Sequence, residues 1–212
     1  MSPSLQAFAE NLNEFRLCQT LGVAEPGQKL AKHLMYNAPL EYEIQSRNKE
    51  IIGMAQEEKK ESLVPFWVKN SYLGKRRAIA LKITDESDKS ILYLKRSSYI
   101  LASTTLIYDE HHELLASIKR RFHPFIRKYE LRKKNQELIA LIHAPITKPW
   151  TFPIYNPRKR EIGKIKRLFP TAGEFLTYRE TLNVQADNLS PEEKIMALSL
   201  SLILSIEHFS RK

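Results

Sequence analysis

Near its C-terminus the chain runs Lys194-Ile-Met-Ala-Leu-Ser-Leu-Ser-Leu-Ile-Leu-Ser-Ile-Glu-His-Phe, a segment apolar almost all the way round a helix. Ser190-Pro-Glu-Glu in front of it is a strong helix start, with Ser at the N-cap, Pro at the first helical position and Glu placed to close a capping box. A helix without a polar face has to be enclosed on every side. The apolar stretch Ile195–Ile206 is twelve residues long with three serines, well short of the roughly twenty that a bilayer requires. Enclosure must therefore come from the rest of the chain, and Ser199, Ser201 and Ser205 can satisfy their hydroxyls on the preceding helical turn.

What precedes the helix reads as a series of hairpins. Five polar loops, centred on Asn48, Glu86, His111, Lys134 and Arg158, are each flanked by apolar or alternating runs of strand length. One face of each strand should be buried and the other wet. A meander this long should close on itself to remove its edges. The fold expected is therefore mainly β, a closed antiparallel barrel enclosing a C-terminal hydrophobic helix at 190–209. Leu5, Phe8, Leu12 and Phe15 lie at helical spacing and predict a short amphipathic helix over 4–17. Glu25-Pro-Gly-Gln reads as a linker, so the expected division is an N-terminal helical and linker segment over 1–36 and a barrel over 37–212.

Charge points to partners. The net charge is +10, and residues 75–134 alone carry fifteen basic against seven acidic side chains, with seven against one over 148–167. Such an excess suits phosphate-bearing surfaces, either anionic headgroups or nucleic acid. Three clusters stand at hairpin tips or strand ends: Lys119, Arg120 and Arg121; Arg132, Lys133 and Lys134; and Arg158, Lys159 and Arg160 followed by Lys164, Lys166 and Arg167. A regular meander is expected to bring them to one rim. Phe66 and Trp67, beside Lys69, are candidates for membrane contact.

Other chemistry is sparse. The lone Cys18 excludes an intramolecular disulfide framework and a Cys-rich zinc module, and the six glycines include no phosphate-cradling pattern. His111 and His112 sit in a turn between glutamates, Asp85-Glu-Ser-Asp reads as an Asx-type turn, and His123-Pro124 reads as a strand entry. No catalytic constellation, cofactor or metal site is expected. The opening residues show no secretory signal.

Several segments resemble the phospholipid scramblase family, itself akin to tubby-like and LURP-one-related barrels. Arg121-Phe-His-Pro-Phe-Ile-Arg-Lys-Tyr-Glu-Leu resembles the family's aromatic-His-Pro segment. Glu161-Ile-Gly-Lys-Ile-Lys-Arg is similar to its Ile/Val-Gly-Arg-Ile strand, Lys194 to Phe209 to its terminal helix, and Tyr42 to Ala55 to its first hairpin. The resemblance implies about twelve strands around one helix. It also implies a cytoplasmic protein, peripherally membrane-associated, that binds anionic phospholipid headgroups such as phosphoinositides through the cations above. The family's acylated cysteine cluster has no counterpart. In place of its Asp-rich calcium segment the chain offers Glu180 and Asp187, which argues against calcium dependence. A nucleic-acid-binding basic barrel and a non-catalytic protein-interaction scaffold are the alternatives.

Overall fold

The computed structural model describes residues 1–20, 40–58, 78–97, 102–169 and 178–209. Ser2 caps helix α1 (Pro3–Glu10), its hydroxyl accepting from the Leu5 N–H at 3.3 Å, and Asn11 ends it. Twelve strands follow: β1 (Glu14–Thr20), β2 (Glu41–Ser46), β3 (Ile51–Glu57), β4 (Ile79–Asp85), β5 (Ser90–Arg96), β6 (Ser103–Asp109), β7 (Leu114–Arg121), β8 (Ile126–Lys133), β9 (Leu138–Pro145), β10 (Thr151–Tyr155), β11 (Glu161–Leu168) and β12 (Tyr178–Gln185). Each pairs antiparallel with its sequence neighbours, and β1 closes the barrel by pairing with both β2 and β12. Helix α2 (Pro191–Leu204) continues as one π-helical turn, Ser205–Phe209.

The expected enclosure is realised. Every residue of α2 from Lys194 to Leu204 is buried, and inward strand side chains such as Phe15, Leu17, Ile44, Leu81, Ile118, Leu131, Ile142 and Ile165 meet it from all round the wall. Ser199 and Ser201 donate to the carbonyls of Ile195 and Ala197 at 2.8 and 2.6 Å, satisfying their hydroxyls within the helix. Ser205 instead donates to the Tyr42 hydroxyl across the interior at 3.3 Å. The Ser190–Glu193 capping box is present with both of its bonds.

The N-terminal expectation is corrected. The helix stops at Glu10, and Phe15, expected on its apolar face, lies in β1 opposite Val184 and Ser46. From Glu14 the buried positions Phe15 and Leu17 alternate with the half-exposed Glu14 and Arg16, which is strand periodicity. The barrel thus begins at Glu14, ahead of the boundary expected at residue 37. Cys18 is a strand residue, fully buried and bonded through sulfur to Gln45 and Thr181.

The meander gives the barrel two unlike ends. At the turn end, five connections share one geometry: the N–H of Ser46, Asp85, Asp109, Lys133 and Asn156 donates to the carbonyl four residues on at 2.8–3.0 Å. The residue three positions on (Lys49, Asp88, His112, Gln136 or Lys159) is left-handed, with φ of 60–68°. Asp85 accepts from the N–H groups of Ser87 and Lys89, the expected Asx-type turn. Helix α1 lies across this end, its Ser4 donating to Glu110 at 2.6 Å, and α2 enters here. The loop end carries the other connections and receives the C-terminal turn of the axial helix.

Two glycines are set by close approach. A Cβ at Gly53 would stand 2.5 Å from the Thr84 carbonyl oxygen and 3.1 Å from the Phe8 ring of α1. A Cβ at Gly163 would stand 2.8 Å from the Gln185 carbonyl oxygen on β12. Gly163→Ala is expected to force β11 from β12 and lower stability by about 1–3 kcal/mol in denaturant unfolding. Lys159→Gly, which removes a left-handed side-chain-bearing residue from an exposed turn, should raise stability by about 0.5–1 kcal/mol in the same assay.

Candidate functional site at the loop end of the barrel

Strand register divides the three cationic clusters. Strand β7 runs toward the loop end, so Lys119, Arg120 and Arg121 finish there, opposite Glu130, Tyr129 and Lys128 of β8. Strand β8 runs back, so Arg132, Lys133 and Lys134 lie toward the turn end. The 158–160 turn joins β10 to β11 on that same side, whereas Lys166 and Arg167 rise along β11 to face Thr151 and Leu182. The expected single rim is thereby corrected: one hairpin's two ends are a strand length apart, and 119–121 and 132–134 flank the same hairpin at opposite ends.

The alternation of strands sorts the clusters again. Arg120 and Arg167 point inward. Among the outward cations, Arg121 donates to both carboxylate oxygens of Glu130 at 3.2 and 3.1 Å, and Arg132 to one of them at 3.0 Å. Lys119 donates to the Gln136 side chain at 2.7 Å and Lys164 pairs with Glu161 at 3.1 Å, whereas Lys133, on the inward row opposite Ala116, pairs with Glu192 of α2 at 3.2 Å. Lys134, Arg158, Lys159, Arg160 and Lys166 have no ion-pair partner among the described residues. Phe66 and Trp67 lie outside the described residues. Burial pushes the Glu130 carboxyl up, but the hydrogen bonds and charges of Arg121 and Arg132 overcome it and hold the group below its ordinary value. The His143 imidazole, opposite Lys128 on the outer wall, is held below its ordinary value by partial burial, then by Lys128 and Lys159.

Inside the loop end lies a polar cluster that the pattern of the sequence only hinted at. Glu207, on the π-helical turn, meets Arg96 at 2.8 Å and Arg120 at 3.4 Å, and it accepts from the Tyr129 hydroxyl at 2.7 Å. The Arg96 and Glu207 side chains are 0% and 1% exposed. The Tyr129 hydroxyl also sits 2.8 Å from His208 Nε2, whose ring stacks on Phe152. Arg127 and Arg167 cover the Phe152 and Phe209 rings at 5.4 and 4.9 Å. The readable signal was an arginine ending each apolar inward row: Leu92, Leu94, Arg96; Ala116, Ile118, Arg120. It becomes meaningful only once Glu207 is placed on the axis.

Four inward arginines around one helix end make this mouth cationic, and the Glu207 contacts fix how far the helix sits along the barrel. Glu207→Gln should lower stability by roughly 3–5 kcal/mol in denaturant unfolding, since it removes the negative charge from a buried ion pair. Glu130 contributes stability that is present above its unfolded pKa of about 4.3 and is lost as pH falls through its lower folded value. Glu130→Gln should accordingly flatten the acid limb of the stability–pH curve.

No group of three or more His, Cys, Asp or Glu residues that could hold a metal occurs among the described residues. Glu180 is buried near the loop-end start of β12, and Asp187 lies past the strand's other end, so the two do not share a site. His123 Nδ1 accepts from the N–H groups of Phe125 and Ile126 at 3.2 and 3.1 Å, shaping the entry to β8. His111 and His112 lie in a turn, His111 3.5 Å from Glu110 and His112 against the Tyr93 ring.

A closed twelve-stranded meander with an apolar helix along its axis fits the tubby-like class of barrel. The chain matches the Scramblase family model over residues 10–211 and belongs to that family. No curated protein and no solved structure matches the chain. Among the described residues no helix is long and apolar enough to cross a membrane.

Proposed function

We propose that this scramblase-like protein associates peripherally with membranes and binds anionic phospholipid headgroups through outward cations of the 119–134 and 158–167 stretches. The observation that carries this reading is that outward lysines on both sides of the wall, Lys128 on β8 and Lys166 on β11, have no carboxylate partner among the described residues. Basic residues close to an anionic leaflet each contribute about 1 kcal/mol of attraction. The wall itself supports a peripheral position: Lys82, Lys95, Lys128, Lys164 and Lys166 stand on outward strand positions, where a lipid-spanning barrel carries an apolar band. The tightly packed axial helix leaves the reading without a lipid path through the interior, so headgroup binding is the activity proposed here, with no calcium requirement.

Co-sedimentation with vesicles at moderate salt tests it. The protein should pellet with phosphatidylserine-containing vesicles and stay in solution with phosphatidylcholine alone, and binding should weaken as salt rises. Equal behaviour with the two lipids would refute the reading. Tighter binding to a single-stranded oligonucleotide than to anionic vesicles would favour a nucleic-acid partner instead.

A further inference from the structure

Seven large hydrophobic side chains are prominently exposed among the described residues, and five of them lie at the loop end: Phe122 at 64%, Phe125 at 75%, Ile146 at 48%, Trp150 at 46% and Phe169 at 68%. They come from three connections that are distant in sequence. Phe122 and Phe125 stand between β7 and β8, Ile146 and Trp150 between β9 and β10, and Phe169 follows β11.

These connections are fastened to one another. The Ile146 N–H donates to the Phe125 carbonyl at 3.2 Å, and Arg127 Nη1 donates to the Pro149 carbonyl at 2.9 Å. The Arg167 N–H donates to the Trp150 carbonyl at 2.9 Å, and the Trp150 and Phe169 rings meet edge to face at 5.4 Å. His123 holds the first loop by accepting from two of its N–H groups. The aromatics therefore stand on a preorganised platform, and little conformational freedom is lost when they are buried by a partner.

Charge identifies that partner. Residues 119–129, 143–152 and 164–169, which build the platform and its strand roots, contain eleven lysines, arginines or histidines and no aspartate or glutamate. Arg120, Arg127 and Arg167 among them turn inward, Arg121 and Lys164 are paired with Glu130 and Glu161, and Lys119 donates to Gln136, which leaves Lys128, Lys148 and Lys166 as the lysines for the surface. The tight turns differ from this platform, because Glu50, Glu86, Asp88, Glu113 and Glu137 stand among their basic residues, and Glu41, Glu57 and Glu58 belong to the loop end away from the platform, at the ends of β2 and β3. Exposed aromatic side chains beside Lys128, Lys148 and Lys166, which have no carboxylate partner among the described residues, suit the headgroup region of an anionic bilayer. An end of mixed charge is drawn to the same surface less strongly, since each carboxylate offsets a cation.

We infer that the loop end is the membrane-docking face: Phe122, Phe125, Trp150 and Phe169 enter the headgroup–acyl boundary while Lys128, Lys148 and Lys166 engage anionic headgroups. The inference rests on the peripheral lipid-binding reading and adds its orientation, with the barrel standing on its loop end and the carboxylate-bearing turns facing away.

The test uses the full chain and vesicles of equal parts phosphatidylcholine and phosphatidylserine. In a Trp67→Phe background, Trp150 emission should shift to the blue on vesicle addition and be quenched by lipids brominated on the acyl chain. Phe122→Ser/Phe125→Ser should weaken partitioning roughly tenfold or more, because two exposed aromatic rings no longer leave water. Ile51→Ser, which removes an exposed apolar side chain at the turn end, should leave partitioning unchanged and controls for general loss of hydrophobicity. Wild-type protein that ignores anionic vesicles would end the headgroup reading and this inference together. Wild-type binding that persists in Phe122→Ser/Phe125→Ser, with Trp150 emission unmoved, would overturn the docking face alone. The docking face also falls if those substitutions abolish self-association in sedimentation equilibrium while vesicle binding stays intact, which would assign the platform to a second copy of the chain.

Discussion

A helix that is apolar on all sides has no stable place at a protein surface, and the rest of this fold answers that constraint. Residues Lys194–Leu204 are buried without a break, which requires a wall around the whole circumference. An antiparallel meander supplies such a wall when its first and last strands pair, and the pairing of β1 with β12 also removes two sheet edges that would otherwise invite association. The helix and the closure depend on each other. Without the helix the interior of a twelve-stranded barrel would be an unfilled space, and without closure the helix would keep an exposed apolar flank.

Polarity is admitted to the interior only where the helix ends. At the turn end, α1 lies over the opening and the Ser190–Glu193 box satisfies the first N–H groups of α2. At the loop end, Glu207 gathers Arg96, Arg120 and Tyr129 around the last turn. Burying these charges is costly, and a packed apolar replacement would serve stability as well or better. What the cluster adds is position. A smooth apolar helix could slide along a smooth apolar bore, whereas a carboxylate held by two strands and a tyrosine hydroxyl has one favourable depth.

Membership of the Scramblase family and the unlike ends of the barrel bear on the same question of how this protein meets a membrane. The meander sends every second connection to one end, so residues adjacent in sequence across a strand become separated by its full length. That separation places Phe122, Phe125, Trp150 and Phe169 with Lys128, Lys148 and Lys166 on one surface and leaves short turns of mixed charge on the other. The asymmetry is a consequence of strand direction combined with where the chain places its aromatics.

The hairpins at 42–54, 78–95, 105–122, 128–142 and 151–169 and the enclosed helix were legible from local pattern, because alternation, loop polarity and an absent polar face are properties of neighbouring residues. Strand β1 was not, since Leu5, Phe8, Leu12 and Phe15 satisfy helical spacing while Phe15 and Leu17 satisfy strand spacing over the same stretch; pairing with β2 and β12 decided between them. The candidate site was legible only in part. Composition marked the cations, but a lysine or arginine on a strand faces water or core according to register, and that is how Arg120 and Arg167 came to lie inside while Lys166 lies outside. The gathering of Phe122, Ile146, Trp150 and Phe169, like the meeting of Arg96 with Glu207, joins residues far apart in the chain, so only the tertiary structure could decide it.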